Sequence, residues 1–395
     1  MRRSQFASVI VAAVAALGLS SAPAVAQPFD FGSLGTGSGS NDGGDPTPIA
    51  PLPPLTVTPV LEGLSHPWDV VEAPDGAILT GQRSGGLTVR RPDGSVGAVA
   101  ADMSDLFANG ETGLMGIALA HDFASSRTLY ICQGSNAGGL DVRVVKWTVD
   151  AGWTQLTRGD TVIDGLPITA SGRHGGCRIL VSGDGSLFIG TGDAALPTVP
   201  QDINSLGGKV LHVQPDGSPG AGNPDPTSAV YTFGHRHVQG LALQPGTGRL
   251  YGIEQGTNVD DEVNLLVPGS NYGYRPDRIP GIYDESVPMT DPVRVPGAVE
   301  AIWRTGSPTL ATASGTFVTG PQWGDWDGAL VIGGLKSRQL IFLRLAPDGQ
   351  SVVARADGLV GEVGRIRSVT QASDGSLLIT TDNSTGDRVL RVTPQ

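Results

Sequence analysis

Gly183-Asp184-Gly185-Ser186-Leu187-Phe188-Ile189 decides the fold. Asp-Gly opens a tight hairpin turn, because glycine accepts positive φ at little cost. A short, alternating apolar run follows, as in a strand. The pattern recurs at Pro74-Asp75-Gly76-Ala77-Ile78-Leu79 and Ser373-Asp374-Gly375-Ser376-Leu377-Leu378-Ile379. Related turns stand at Pro92-Asp93-Gly94, Pro215-Asp216-Gly217 and Pro347-Asp348-Gly349. Val210-Leu211-His212-Val213 and Ala329-Leu330-Val331-Ile332 are further short runs bounded by Gly or turn residues.

Composition agrees with this reading. The 395 residues include 58 Gly and 29 Pro but only 16% charged residues, which suits many short strands better than helices. Amphipathic helical patterns are nearly absent. A loose strand repeat over most of the chain predicts an all-β, six-bladed β-propeller, with an array of sandwiches as the alternative. Propellers gather loops around a central channel, where small molecules commonly bind. The net charge of −12 argues against nucleic acid or anionic lipid as partner.

The N-terminus predicts export. Arg2 and Arg3 precede an apolar run from Val9 to Leu19, and Ala24-Val25-Ala26 is a small-residue cleavage site. We therefore assign 1–26 to a signal peptide, 27–54 to a disordered Gly/Ser/Pro-rich linker and 55–395 to the folded domain. No later stretch reads as a membrane span. In a secreted or periplasmic compartment the two cysteines, Cys132 and Cys177, allow one disulfide; two buried free thiols are the alternative.

Four segments set uncommon polar residues among glycines. Gly172-Arg173-His174-Gly175-Gly176-Cys177-Arg178, with Asp193 downstream, offers an imidazole that a ligand can approach closely. Gly234-His235-Arg236-His237-Val238-Gln239-Gly240 offers a planar guanidinium fork. Glu254-Gln255-Gly256-Thr257-Asn258-Val259-Asp260-Asp261-Glu262-Val263-Asn264, leading to Asn271-Tyr272-Gly273, supplies hard oxygen donors of the kind calcium prefers. Lys336, then Arg365 and Arg367, are cationic, and alternation puts both arginines on one strand face. Such a pair calls for a neutralising anion. Each motif alone also fits a bland role: a structural His, a surface ion pair, a solvated acidic loop, exposed arginines.

Taken in order, these segments resemble the soluble pyrroloquinoline-quinone-dependent glucose/sorbosone dehydrogenases, including aldose sugar dehydrogenases. The resemblance runs from about Leu61 to Val392 and includes Gly113-Leu114-Met115-Gly116-Ile117-Ala118-Leu119. It implies a six-bladed propeller that oxidises a sugar by hydride transfer to a calcium-bound quinone. It assigns His174 as general base, Asp193 as the carboxylate orienting it, Arg236 as a donor to the quinone, and Asp261 as an acidic neighbour of the reacting centre. It places Lys336, Arg365 and Arg367 on the quinone carboxylates. Gly256 and Thr257 fall where backbone carbonyls hold the quinone-associated calcium; Glu262 and Tyr272 match a further, structural calcium. The resemblance also implies a sugar substrate and an external electron acceptor.

Three positions depart from the family pattern. Arg173 stands where Asp is frequent, His237 where Asn is usual, and Glu111 where Gln is frequent. Glu111 and His237 are thereby cofactor-contacting positions with altered chemistry. Two other readings follow. A catalytically degenerate propeller would bind a carbohydrate or an envelope partner; a calcium-dependent lactonase would leave the late Lys/Arg set unexplained.

Overall fold

The computed structural model describes residues 49–395. The expected signal peptide and the expected linker as far as residue 48 lie outside the described residues.

Six four-stranded antiparallel sheets form the blades of a β-propeller, as the turn spacing predicts. The first blade is Pro67–Glu72, Ile78–Gln82, Leu87–Arg90 and Val96–Val99. The second is Leu114–Leu119, Thr128–Ser135, Asp141–Val149 and Leu156–Leu166. The third is Gly176–Val181, Leu187–Thr191, Lys209–Val213 and Val230–Phe233. The fourth is Val238–Leu243, Leu250–Glu254, Glu262–Leu265 and Trp303–Arg304. The fifth is Thr312–Phe317, Leu330–Gly334, Gln339–Leu345 and Val352–Gly358. The sixth joins Ile366–Gln371, Leu377–Thr381 and Asp387–Pro394 to Leu55–Leu64, which supplies its outer strand. That last pairing, with Val57 opposite Val392, closes the ring. The expected disordered linker does not extend to residue 54: Trp326 Nε1 donates to the Ala50 carbonyl, and Ile49 and Leu52 pack on the core between the fifth and sixth blades, because these apolar side chains cover its open edge.

The Asp-Gly turns behave as their chemistry requires. At 182–186 the Asp184 carboxylate accepts the Ser186 N–H (3.0 Å) while Gly185 takes a φ of 88°. All six such turns join first to second or third to fourth strands, so antiparallel pairing puts them at one end of the propeller. The inter-blade crossovers and second-to-third loops collect at the other end.

One expectation needs refinement. The middle strands do not alternate: Leu187–Thr191, Leu330–Gly334 and Leu377–Thr381 are buried throughout, whereas the outer strand Val352–Gly358, behind the turn at 347–349, keeps the alternation. Each blade packs on both neighbours, so both faces of its middle strands are covered and continuous apolar runs result. Separate apolar clusters fill the wedges between successive blades.

The axis is polar. Asp69 pairs with Arg178 and accepts from the Ser368 hydroxyl (2.6 Å), and the Arg178 guanidinium lies 4.5 Å from the Trp68 ring. This buried layer floors the channel beneath the loop-rich end.

The loop between Leu187–Thr191 and Lys209–Val213 carries Asp193. Its lock is Lys209, fully buried, whose ammonium donates to the carbonyls of Val199 (2.8 Å), Pro200 (3.3 Å) and Gly207 (2.6 Å). Burial pulls its pKa down to about 7. The Val199 and Pro200 carbonyls also accept the Asp202 and Gly234 N–H groups, so Lys209→Met strips only the Gly207 carbonyl of its donor, and a loss of about 1–3 kcal/mol in chemical denaturation is expected. An unchanged denaturation midpoint would show that the loop holds itself.

Candidate active site

His174 sits at the end of the crossover from the second to the third blade, at a φ of 52° between flexible glycines. The space there is tight: a Cβ at Gly192 would lie 1.8 Å from the His174 carbonyl oxygen, so only glycine fits. His174 Nδ1–H donates to Asp193 Oδ1 (2.8 Å). That bond fixes the tautomer and leaves Nε2 as the basic nitrogen. Asp193 is fully buried and also accepts the Ala195 N–H (2.8 Å) and the Tyr283 hydroxyl (2.6 Å).

Arg236 is buried beside this pair. It donates to the Gln255 carbonyl (2.9 Å) and, at 3.4 Å, to Glu285, while its Nε is buried with no partner. Burial opposes its charge, but Tyr283, Tyr274, Asp193 and Glu285 more than offset this and raise its pKa. Arg173 forms an ion pair with the same Glu285. Glu285 thus bridges two guanidinium groups at the rim.

A cavity of about 270 Å³ opens on the axis, lined among others by His66, Arg83, Glu111, Gln255, Arg365, Arg367 and Asp382. Its two late arginines differ. Arg367 is neutralised by Asp382 (2.5 Å), which in turn accepts from His66 Nδ1–H (2.5 Å). Burial works against ionising Asp382, yet Arg367 holds its pKa well below the usual carboxylate range. Arg365 has no ion-pair partner among the described residues, and burial lowers its pKa. Of the two cations expected to need an outside anion, the protein itself satisfies one.

Glu111 reaches the cavity from the crossover between the first and second blades. Its Oε2 accepts the His174 backbone N–H (3.0 Å) and lies 3.8 Å from His237 Nδ1. Ligand atoms of Glu111, His174 and His237 lie within 4.8 Å of one another, a spacing open to a metal. The ring geometry opposes that use. The imidazoles stack at 5.0 Å with planes 30° apart, so their in-plane lone pairs run side by side instead of converging. His237 Nε2 also accepts from the Gly176 N–H (3.3 Å) and the Gln239 amide (3.0 Å), which puts its proton on Nδ1, facing Glu111. Burial, with His174 and the surrounding arginines, pushes the His237 pKa well down, so the ring is neutral.

The oxygen-rich segment divides in two. The loop from Gly256 closes tightly: a Cβ at Gly256 would meet the Val259 and Asp260 carbonyl oxygens at 2.5 and 2.3 Å. Asp261 clamps it, accepting from the Gly256 N–H (2.9 Å) and the Leu310 N–H (2.7 Å). Burial raises the Asp261 pKa against these N–H donors. Asp261 therefore holds the loop carrying Gly256 and Thr257. Glu262 lies deeper, opposite Glu254 across the strand pair. Burial, then Glu254, pushes its pKa up to about 8. Thr290 and Arg304 contact Glu262, and the nearby Asn264 Oδ1 is buried without a partner. The Tyr272 hydroxyl is already committed, donating to the Leu265 carbonyl (2.6 Å) and accepting the Val267 N–H (2.9 Å). Only its backbone carbonyl is left to offer a cation.

Lys336 stands apart. It is exposed, and its neighbour Leu335 lines the cavity in its place. Conversely, Tyr283, Glu285, His66 and Asp382 enter the site without any sequence signal. Tyr283 and Glu285 arrive on the long connection between the third and fourth strands of the fourth blade. That chain returns along the third blade, where the Gly269 N–H donates to the Tyr231 carbonyl and the Tyr274 N–H to the Gly234 carbonyl.

The family model for glucose/sorbosone dehydrogenases matches residues 64–391. The chain belongs to that family. It is similar to the aldose sugar dehydrogenase of Escherichia coli, with 28% identity over 86% of this chain and 93% of that protein. An uncharacterized protein of Synechocystis is 30% identical over 89% of this chain and 91% of its own length. Among solved structures, the quinone-bound aldose sugar dehydrogenase of Streptomyces coelicolor is 30% identical, with a TM-score of 0.72 over 87% of this chain and all of that one. The family is one of sugar dehydrogenases, so the coarse activity is sugar oxidation.

Proposed function

We propose that the protein oxidises an aldose or related alcohol with pyrroloquinoline quinone and calcium. One juxtaposition carries the reading: an Asp-oriented His174 adjoins a cavity lined by three guanidinium groups, Arg83, Arg365 and Arg367, against two carboxylates, Glu111 and Asp382. The donor set fits a small polyanion. The unpartnered Nε of Arg236 and the unpaired Arg365 are the groups such a ligand would satisfy. The cavity is near the lower end of small-molecule sites, which span about 300–1,000 Å³. The carbonyl-lined loop at Gly256 and Thr257 suits a hard cation, and the buried Glu262 with the orphaned Asn264 oxygen suits a second.

When bound, the calcium–quinone pair supplies the hydride acceptor. His174 Nε2 takes the substrate hydroxyl proton, and Asp193 stabilises the imidazolium that results. Arg236, fixed by Gln255, stabilises negative charge developing at the acceptor. Arg365 and Arg367, which line the cavity, would orient the anionic groups. Turnover then requires an external electron acceptor. Export through the expected signal peptide fits the disulfide described below, since such bonds persist in oxidising compartments. No helix among the described residues is long and apolar enough to cross a membrane.

The test is reconstitution with calcium and pyrroloquinoline quinone, reading quinone binding and then aldose-dependent reduction of a dye. Binding with turnover supports the proposal. Binding without turnover supports a degenerate enzyme, and absence of both supports a propeller that only binds a partner. Glu111 supplies a graded check. Its carboxylate sets a negative charge beside the anion-binding cavity, so Glu111→Gln should tighten quinone binding about fivefold, on the order of 1 kcal/mol. Weaker binding in that variant would mean Glu111 is itself a ligand-side partner.

A further inference from the structure

The structure assigns Tyr283 as a positioning residue: its hydroxyl, brought in by the insertion, sets the orientation and proton affinity of His174 through Asp193. This rests on the proposed role of His174 as base, but its test does not.

The chain of donors is continuous. The Tyr274 hydroxyl donates to the Tyr283 hydroxyl (3.0 Å), which donates to Asp193 Oδ2 (2.6 Å), while Asp193 Oδ1 accepts from His174 Nδ1 (2.8 Å). The Tyr283 oxygen lies 3.5 Å from His174 Nδ1, and the rings are tilted at 5.9 Å between centroids. Asp193 is fully enclosed, so no bulk water competes for Oδ2. A short charge-assisted bond to one oxygen withdraws charge from the other. The carboxylate therefore stabilises the imidazolium less than it would alone. Removing the hydroxyl restores that charge and makes His174 the stronger base.

The remaining groups facing His174 are Arg173 on its own loop, Glu111 on the preceding crossover, Arg236 and His237 on the next crossover, and Glu285 beside Tyr283 on the insertion. Tyr283→Phe keeps the ring and, of these groups, touches only the surroundings of Arg236, which stays charged in either variant. Because Tyr283 belongs to the Leu266–Ile302 connection, docking of that insertion and tuning of the base become one event. A displaced insertion would leave His174 differently poised.

Two measurements test the assignment. In the ligand-free protein, the ring-proton NMR titration midpoint of His174 should move up by about half to one pH unit in Tyr283→Phe. In the reconstituted enzyme, the acid limb of kcat/KM should move by the same amount, with kcat reduced about threefold to tenfold and quinone affinity unchanged. The double variant with Asp193→Asn should show no further effect of Tyr283→Phe, because the path is cut. An unmoved titration midpoint overturns the inference, as does a loss confined to KM. An inactive parent that shows the NMR shift sinks the proposed reaction and leaves the positioning role standing. Should Tyr283→Phe fail to fold, Tyr274→Phe tests the same chain one link further out, with a smaller shift in the same direction and no shift as the refuting result.

Discussion

Alanine at His174 is expected to lower turnover of the reconstituted enzyme by about 10²–10⁴-fold, the range general-base removal commonly costs. Quinone binding should stay within a few-fold of the parent. The separation follows from the geometry. The cations proposed to hold the ligand are Arg236, Arg365 and Arg367, and none depends on the imidazole: Arg236 is fixed by the Gln255 carbonyl and Arg367 by Asp382. The backbone at residue 174 is secured independently, since its N–H reaches Glu111. Exogenous imidazole should restore part of the lost rate, because truncation leaves room where the ring stood. Turnover within threefold of the parent would remove His174 from the chemistry. Loss of both binding and turnover would instead make the ring part of the ligand site, with His237, stacked against it, collapsing into the gap.

The fold was legible because its signal is local. Each Asp-Gly turn encodes its own geometry through an Asp carboxylate and a positive-φ glycine beside it, and no distant residue is needed. The candidate site was legible only where its residues stand in or beside turns: His174 among glycines, Arg236 after Gly234, Arg365 after Gly364. What escaped is what the topology assembles. Tyr283 lies 109 residues from His174, on a connection without strand or helix periodicity, and nothing in its neighbourhood marks it. His66 meets Asp382 across 316 residues because the ring closes there. The Arg365/Arg367 pair shows the converse error of local reasoning. Read alone, both arginines demand an external anion, yet Asp382, just past the end of the next strand, already answers one. Lys209, a lysine at a strand start, is a fully buried plug. Charges of this kind are invisible to sequence because their compensation is three-dimensional.

The disulfide yields the second large effect. Cys132 and Cys177 are bonded, with Cα atoms 6.1 Å apart, and both are fully buried. The bond joins the second strand of the second blade to the first strand of the third, across an apolar wedge that includes Met115, Val142 and Ile179. It closes a loop of sequence separation 45. On the chain-entropy account such a loop restricts the unfolded chain by about 4 kcal/mol. The Cys132→Ser, Cys177→Ser double variant should therefore lose about that much stability and, for a domain of this size, melt roughly 5 °C lower. Reductant alone should not reproduce the loss in the folded protein, since no thiolate reaches a sulfur enclosed on all sides; partial unfolding in denaturant should be needed first. Activity ought to survive at low temperature, because Gly192, Asp193 and Glu111 hold His174 without help from Cys177. A double variant within 1 kcal/mol of the parent would refute the entropic argument, and free thiols found by mass analysis in exported protein would refute the bond itself. A variant that is stable but inactive would carry a different message: the bridge, three residues from the base, would then be fixing the turn that presents His174 rather than the blades that flank it.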